Sequence, residues 1–95
     1  MKMLLVMADA ARLDQLRAKL TELDAPGYSV LPVVEGAGRT GVHSADRVHP
    51  GALAAVIVVA EDAQAEALFE GLDHCRRECG DTVTRLFVLP VERQG

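Results

Sequence analysis

The sequence has almost no aromatic side chains: it contains no Trp, one Tyr and two Phe. Its core must therefore be built mainly from aliphatic side chains and Met. The hydrophobic share is nevertheless 49%, which is ordinary for a globular chain and argues against intrinsic disorder. A chain of 95 residues is long enough for one core but too short for two. We therefore expect a single domain spanning residues 1–95.

Cysteine is also scarce, and two residues are too few for a disulfide scaffold, so a reducing cytosol is the expected compartment. No apolar run approaches the roughly 20 residues of a membrane span. The apolar run at 3–6 is too short for the core of a signal peptide. The formal net charge of −4 gives no electrostatic reason to expect nucleic acid as a partner. We expect a cytoplasmic protein.

Hydrophobic periodicity predicts four strands and two helices in the order β-α-β-β-α-β. The strands are predicted at 1–7, 28–34, 53–59 and 83–89, and the helices at 10–23 and 62–79. This order indicates an α+β, ferredoxin-like sandwich, in which two helices cover one face of an antiparallel four-stranded sheet. Pro32 cannot donate a ladder hydrogen bond, so its strand is expected at an edge or with a bulge.

The predicted sheet is apolar on both faces, although two helices can cover only one of them. The strands at 1–7 and 53–59 carry apolar side chains at nearly every position. The second face of a monomer's sheet would be polar. An exposed apolar face of roughly several hundred Å² is typical of an interface, so we expect a homo-oligomer.

Segment 36–51 contains four Gly, one Pro and most of the polar connecting residues. We interpret these 16 residues as a loop, longer than the common connection of about 4–6 residues and therefore a functional candidate. The glycines permit close approach to a ligand, and Arg39 between them can pair with an anion.

Three stretches, in this order and spacing, resemble the nitrogen regulatory PII signalling family, in a divergent and shortened form. They are VEGAGRTG at 34–41, IVVAED at 57–62 and FVLPVE at 87–92. The resemblance implies a homotrimer whose sheets face inward, with ATP, ADP or AMP in the clefts between subunits. It also implies that segment 36–51 is a short form of the family's T-loop, which docks onto a regulated transporter or enzyme.

The resemblance also implies which residues hold the effector. They are Gly36, Gly38, Arg39, Thr40 and Arg85. The sequence departs from the family in two places. Ala54 or a neighbour stands where the family has a lysine at the start of its third strand. Segment 79–85 corresponds to the family's Gly-rich, lysine-containing phosphate-binding segment, of which it keeps only a cation, at Arg85. Most of the residues that would bind a triphosphate are therefore missing. This leaves ADP, AMP, another small anion or a metal open as the effector.

Two other classes of function stay open. His43 and His49, with Asp46 between them, could hold a metal ion, since His and Asp ligate Zn and similar ions. The same metal-sensing or redox-sensing module could use Cys75 and Cys79, which are otherwise small core hydrophobes. A third reading is an oligomerisation module without a ligand.

We do not expect an enzyme, because Ser44 near the loop histidines has nothing to position a base or an oxyanion hole. Arg76 and Arg77 are interpreted as solubilising residues on the wet face of the second helix. Asp62, Glu66 and Glu70 are interpreted as a solvated stripe on that helix.

Overall fold

A computed structural model describes residues 1–33, 35–38, 41–44 and 52–95. The strands are β1 (Lys2–Asp9), β2 (Ser29–Pro32), β3 (Glu35–Gly38), β4 (Gly41–Ser44), β5 (Leu53–Ala60) and β6 (Arg85–Pro90). The helices are α1 (Leu13–Glu22) and α2 (Asp62–Glu78), and a single 3₁₀ turn (Ala10–Arg12) precedes α1.

The main sheet has the strand order β2-β5-β1-β6, and every neighbouring pair is antiparallel. With one helix after β1 and one after β5, this is the ferredoxin-like arrangement that the sequence predicts. Strand β2, which contains Pro32, lies at an edge, so the missing N–H donor of proline costs no ladder hydrogen bond.

The core lies between the two helices and one face of the sheet. Alternate residues of β1 point into it, and Leu4, Val6 and Ala8 are completely buried. The other buried residues of the core come from β5 and the helices: Val56, Val58, Leu20, Leu68 and Leu72. No aromatic residue is among these buried members, as the composition requires.

The helix ends follow local chemistry. Asp9 accepts a hydrogen bond from the Ala11 amide at 2.9 Å and caps the 3₁₀ turn. After α1, Asp24 adopts the left-handed conformation (φ 57°), which a short polar side chain tolerates. Gly80 ends α2 in the same region, with φ 69°.

Segment 36–51 is not a loop throughout. Strands β3 and β4 pair as a separate antiparallel ribbon, with Glu35 opposite Ser44 and Gly38 opposite Gly41. Only two residues separate Gly38 from Gly41, the length typical of a tight hairpin. The glycines that suggested a loop lower strand propensity, and here pairing prevails over propensity. Residues 45–51 lie outside the described residues.

Within the part of the chain that the structure describes, neither helix combines the length and the apolar character needed to cross a bilayer.

Candidate functional site

The face of the main sheet that lies away from the helices is apolar. Leu5 in the centre pairs with Ile57 on one side and with Phe87 on the other. The exposed large hydrophobic side chains on this surface, which we call the open face, are Leu31, Val59, Phe87 and Leu89. Phe87 alone exposes 48% of its surface. The expectation of a sheet with two apolar faces is confirmed.

The open face continues around the β6 edge into a groove of about 670 Å³. Phe69 of α2 and Leu86 of β6 form its wall on the helix side, and Phe87 and Leu89 form the wall on the open face. Glu66 is the charged member of this lining. The groove therefore extends the apolar surface along an edge strand.

The two edge strands of the main sheet have their relevant ends at the same end of the sheet. Pro32, at the end of β2, pairs with Ala54, while Arg85, at the start of β6, pairs with Met7. Because β2 and β6 are separated by three strand spacings, about 14 Å lie between these edges. Gly36 and Gly38 belong to β3 of the separate ribbon, which follows β2 in the chain. Arg85 therefore lies at the edge opposite the strand that leads into the ribbon.

Arg85 is exposed, and backbone carbonyls hold its guanidinium. Its Nη1 donates to the Thr82 carbonyl at 2.8 Å and to the Thr84 carbonyl at 3.2 Å. A shallow pocket of about 280 Å³ lies beside it, lined also by Asp73, Arg76 and Thr84. Arg76 is already paired with Asp73 and the Thr84 hydroxyl already donates to Asp81, so Arg85 is the group of this lining that could turn to an anion.

Asp81 organises the connection between α2 and β6. Its carboxylate accepts hydrogen bonds from the Val83 amide at 2.9 Å, from the Thr84 amide at 3.0 Å and from the Thr84 hydroxyl. Arg12 Nε lies 3.8 Å from the same carboxylate. Partial burial raises the pKa of Asp81, but the hydrogen bonds from Thr84 and Val83 outweigh it and leave the pKa below its ordinary value.

Asp73 is a buried carboxylate in α2, with 6% of its surface exposed. Arg76 Nη2 lies 2.5 Å from its Oδ1, and Arg77 donates to its Oδ2. Hydrogen bonds from Arg76 and then from Arg77 hold the pKa of Asp73 below its ordinary value. The interpretation of both arginines as merely solubilising was wrong, because they neutralise this buried charge.

The two cysteines differ in environment. Cys75 is partly buried, whereas Cys79 is exposed, so the reading of both as core hydrophobes fails for Cys79. Arg12 Nη1 donates to Cys79 Sγ at 3.4 Å, and the Cys79 thiol donates to the Arg76 carbonyl at 3.6 Å. Both sulfur-bearing residues line a groove of about 430 Å³ together with Lys19 and His74.

Two acidic residues near the start of α2, which were interpreted as part of a solvated stripe, form ion pairs with the start of the chain. Lys2 Nζ donates to Glu66 Oε1 at 2.8 Å, and this hydrogen bond raises the pKa of Lys2. Asp62 contacts the amino group of Met1 at 2.6 Å. The first turn of α2 is thus tied to the start of β1, although these groups stay exposed.

Of the predicted site residues, Arg39, Thr40, Asp46 and His49 lie outside the described residues, whereas His43 belongs to β4. Among the described residues, no group of three His, Cys, Asp or Glu is arranged to hold a metal ion. The metal site at His43 and His49 stays a prediction.

Sequence reasoning missed the structural carboxylates Asp73 and Asp81. Asp73 precedes Arg76 and Arg77 by three and four residues, a helical spacing that could have indicated the ion pairs. Asp81 precedes Val83 and Thr84 at the spacing typical of a side-chain-capped turn. Its approach to Arg12 depends on the tertiary fold and leaves no local signal.

The family model described as "Nitrogen regulatory protein P-II" matches residues 1–94. No curated protein matches the chain.

Two similar solved structures are CPII, a nitrogen regulatory PII-like protein from Thiomonas intermedia K12, and a DUF3240 family protein from Shewanella baltica OS155. The CPII complex with ADP, AMP and bicarbonate is 20% identical with a TM-score of 0.69, and the match covers 97% of this chain and 88% of that one. The Shewanella structure is 21% identical with a TM-score of 0.72, covering 99% and 92%. Likeness at these identities supports the fold, and the family match extends over nearly all of the sequence. The chain therefore belongs to the nitrogen regulatory protein P-II family.

Proposed function

We propose that this chain is a small cytoplasmic regulator that binds an adenine nucleotide between the subunits of a homotrimer. Segment 36–51 would contact a regulated transporter or enzyme, and the bound nucleotide would bias the conformation of that segment. The chain would act as a regulator and not as an enzyme.

The observation that carries this proposal is the position of two strand ends on the main sheet. The end of β2, from which the chain continues into the ribbon with Gly36 and Gly38, and the start of β6, at Arg85, lie at opposite edges but at the same end of the sheet. When sheets associate around a common axis, the β2 edge of one subunit comes to lie beside the β6 edge of its neighbour. A complete site would then contain one edge from each of two subunits.

The open face supplies the driving force for such an assembly. Leu31, Val59, Phe87 and Leu89 are all exposed in the isolated chain. Burial of apolar surface stabilises association by roughly 25 cal/mol per Å² before the costs of association are subtracted. Binding at a cleft between subunits would therefore depend on the oligomer itself.

The chemistry favours a nucleotide with fewer than three phosphates. Arg85 can pair with phosphate oxygens, and the glycines permit close approach of the backbone. By resemblance, Ala54 or a neighbour stands where the family has a lysine, and Ala54 is buried and carries no charge. The CPII structures were solved with ADP and bicarbonate and with ADP, AMP and bicarbonate, which supports ADP and AMP as the first ligands to test.

The mechanism is a population shift of segment 36–51. A ligand changes such an equilibrium only by the difference in its affinity for the two states. Contacts from Arg39 and Thr40 to the nucleotide would supply that difference, because they lie within the segment that the partner would recognise. The partner would thus recognise one of the two conformations of the segment, which the ligand favours.

Calorimetric titration with ATP, ADP and AMP, each with and without bicarbonate, tests the proposal. We expect ADP or AMP to bind, and we expect Arg85→Ala to weaken binding by about tenfold or more through loss of charged hydrogen bonds. Arg93→Ala is the matched control, because Arg93 is exposed in the tail beyond β6. Absence of heat with every nucleotide at millimolar concentration, in a folded oligomer, would contradict the proposal.

A further inference from the structure

The C-terminal end of α2 places two free thiols on one surface groove. Cys75 and Cys79 both line the groove of about 430 Å³ between α1 and α2. Cys79 is exposed and Cys75 partly buried, so the groove gives a small reagent direct access to Cys79 first. Two thiols of unequal exposure on one groove are suited to sequential thiol–disulfide exchange.

The local backbone is close to the geometry of a disulfide but does not yet match it. Residues four apart in a helix are separated by about 6 Å along the axis, within the range of about 4.4–6.8 Å between Cα atoms of disulfides. Their Cβ atoms, however, are about 5–6 Å apart, against about 3.5–4.5 Å in a disulfide. The two Cβ atoms must therefore approach each other by about 1–2 Å before the bond can form.

The last turn is the part of α2 that can tighten. Cys79 follows the last helical residue, Glu78, and has φ −91° and ψ 5°. Its amide donates to the Cys75 carbonyl at 3.2 Å, and Gly80 then takes a positive φ. Terminal turns open at lower free energy than helix interiors, so the required movement is confined to a few residues.

Arg12 connects the exposed thiol to the loop that precedes β6. Its Nη1 contacts Cys79 Sγ at 3.4 Å, and its Nε lies 3.8 Å from Asp81 Oδ2. Asp81 in turn holds the Val83 and Thr84 amides. A movement of Cys79 Sγ towards Cys75 would remove the first of these contacts and pull directly on Gly80 and Asp81.

We infer that Cys75 and Cys79 form a reversible disulfide that loosens the Asp81–Thr84 connection. In the first step, Cys79 sulfur attacks one sulfur of a low-molecular-weight disulfide and releases one small thiol. In the second step, Cys75 sulfur attacks Cys79 sulfur and releases the second small thiol. The two protein thiols lose two electrons and two protons, and the small disulfide gains both.

The same loosening would reach the proposed effector site, and this part rests on the proposed function. Arg85 Nη1 is held by the Thr82 and Thr84 carbonyls, which belong to the connection that Asp81 organises. Oxidation would therefore release the guanidinium from its present position. We expect oxidised protein to bind ADP or AMP about tenfold more weakly than reduced protein, because the guanidinium is no longer pre-positioned.

Intact-mass measurement after treatment of the native oligomer with oxidised glutathione tests the bond itself. We expect the wild-type chain to lose the mass of two hydrogens, and we expect Cys75→Ser to retain one glutathione on Cys79. Cys79→Ser should react slowly, because Cys75 is partly buried. A stable glutathione adduct on the wild-type chain, or a disulfide between two chains, would overturn the inference.

Hydrogen exchange tests the structural consequence without any nucleotide. The Val83 and Thr84 amides should exchange about tenfold faster in oxidised than in reduced protein. The double variant Cys75→Ser/Cys79→Ser, treated in the same way, is the control. Equal exchange rates in the oxidised and reduced protein would overturn the effect of the disulfide on the Asp81–Thr84 connection.

If no nucleotide binds in either state, the proposed function fails, whereas the mass and exchange results still decide whether the disulfide forms and what it changes.

Discussion

Leu5 of β1 lies directly opposite Phe87 of β6, and Ile57 of β5 flanks Leu5 on its other side. This row crosses the middle of the open face, where no helix covers it. An apolar row in the centre of a sheet face is the arrangement of a core, yet Phe87 remains 48% exposed in the isolated chain. The row therefore predicts where subunits meet.

Phe87→Arg should disrupt the oligomer. The substitution places a charge in the apolar row of the open face, where association would bury it without a partner. Light scattering coupled to size-exclusion chromatography should show wild type as a trimer and the variant as a smaller species. Ala67→Arg is the matched control, because it adds the same side chain at an exposed position of α2. A trimeric Phe87→Arg variant, or a monomeric wild type, would exclude the open face as the interface.

Asp73 should contribute stability that depends on pH. Its pKa is lower in the folded chain than the ordinary value of 3.8, chiefly through the hydrogen bonds from Arg76 and Arg77. The contribution is therefore fully present above the ordinary value and is lost as pH falls through the lower folded-state pKa. Asp73→Asn removes this carboxylate, so the variant should be less stable near neutral pH and should lose less stability on acidification.

Urea denaturation between pH 7 and pH 3, at one protein concentration, measures this difference. Asp14→Asn is the control, since the Asp14 side chain is fully exposed in its contact with Arg17. The free energy of unfolding of Asp14→Asn should change with pH as that of wild type does. If the free energies of unfolding of wild type and Asp73→Asn change with pH in the same way, Arg76 and Arg77 do not act through Asp73.

The fold and the open face were predictable because both follow from the distribution of apolar residues. Strand β1 is apolar at nearly every position, so both of its faces must be covered: Leu4 and Val6 are buried, and Leu5 belongs to the open face. Such a continuous apolar run is visible without knowledge of the tertiary structure. Pro32 lacks an N–H donor, which predicted an edge strand or a bulge, and the structure has the edge strand.

The ribbon and the Arg12 contacts were not predictable in this way. Strand β3 is Glu-Gly-Ala-Gly, whose glycines weaken any strand signal, so its pairing with β4 comes from the short connection between them. Arg12 meets Cys79 and Asp81 only because α1 and the end of α2 pack side by side. Contacts between residues so distant in sequence have no local pattern.

Asp81→Ala should loosen the connection into β6. The variant leaves the Val83 and Thr84 amides without their acceptor, which costs about 1–3 kcal/mol where such groups are buried. Asp81→Asn is the matched comparison, because its amide oxygen can still accept both hydrogen bonds while the charge opposite Arg12 is lost. We expect urea denaturation to rank the stabilities as wild type, then Asp81→Asn, then Asp81→Ala. Equal stability of Asp81→Ala and wild type would contradict the role of Asp81 in the turn.

Gly71 should be the position where α2 tolerates least added bulk towards α1. A Cβ atom at this position would lie 2.7 Å from Leu23 Cδ1 and 3.1 Å from Leu23 Cδ2. Gly71→Ala gains about 1 kcal/mol of helix propensity, and the Leu23 methyl groups can shift, so its net effect should be small. Gly71→Val adds two further methyl groups to the same contact and should destabilise the fold by about 1–3 kcal/mol.

Free energies of unfolding from urea titrations, at matched protein concentration, decide this prediction. Ala67→Val is the control for Gly71→Val, because Ala67 is exposed on the same helix and the β-branched residue there costs only helix propensity. The difference between these two variants isolates the contact with Leu23. If Gly71→Val is as stable as Ala67→Val, the close approach of Leu23 to Gly71 does not limit the packing of α1 on α2.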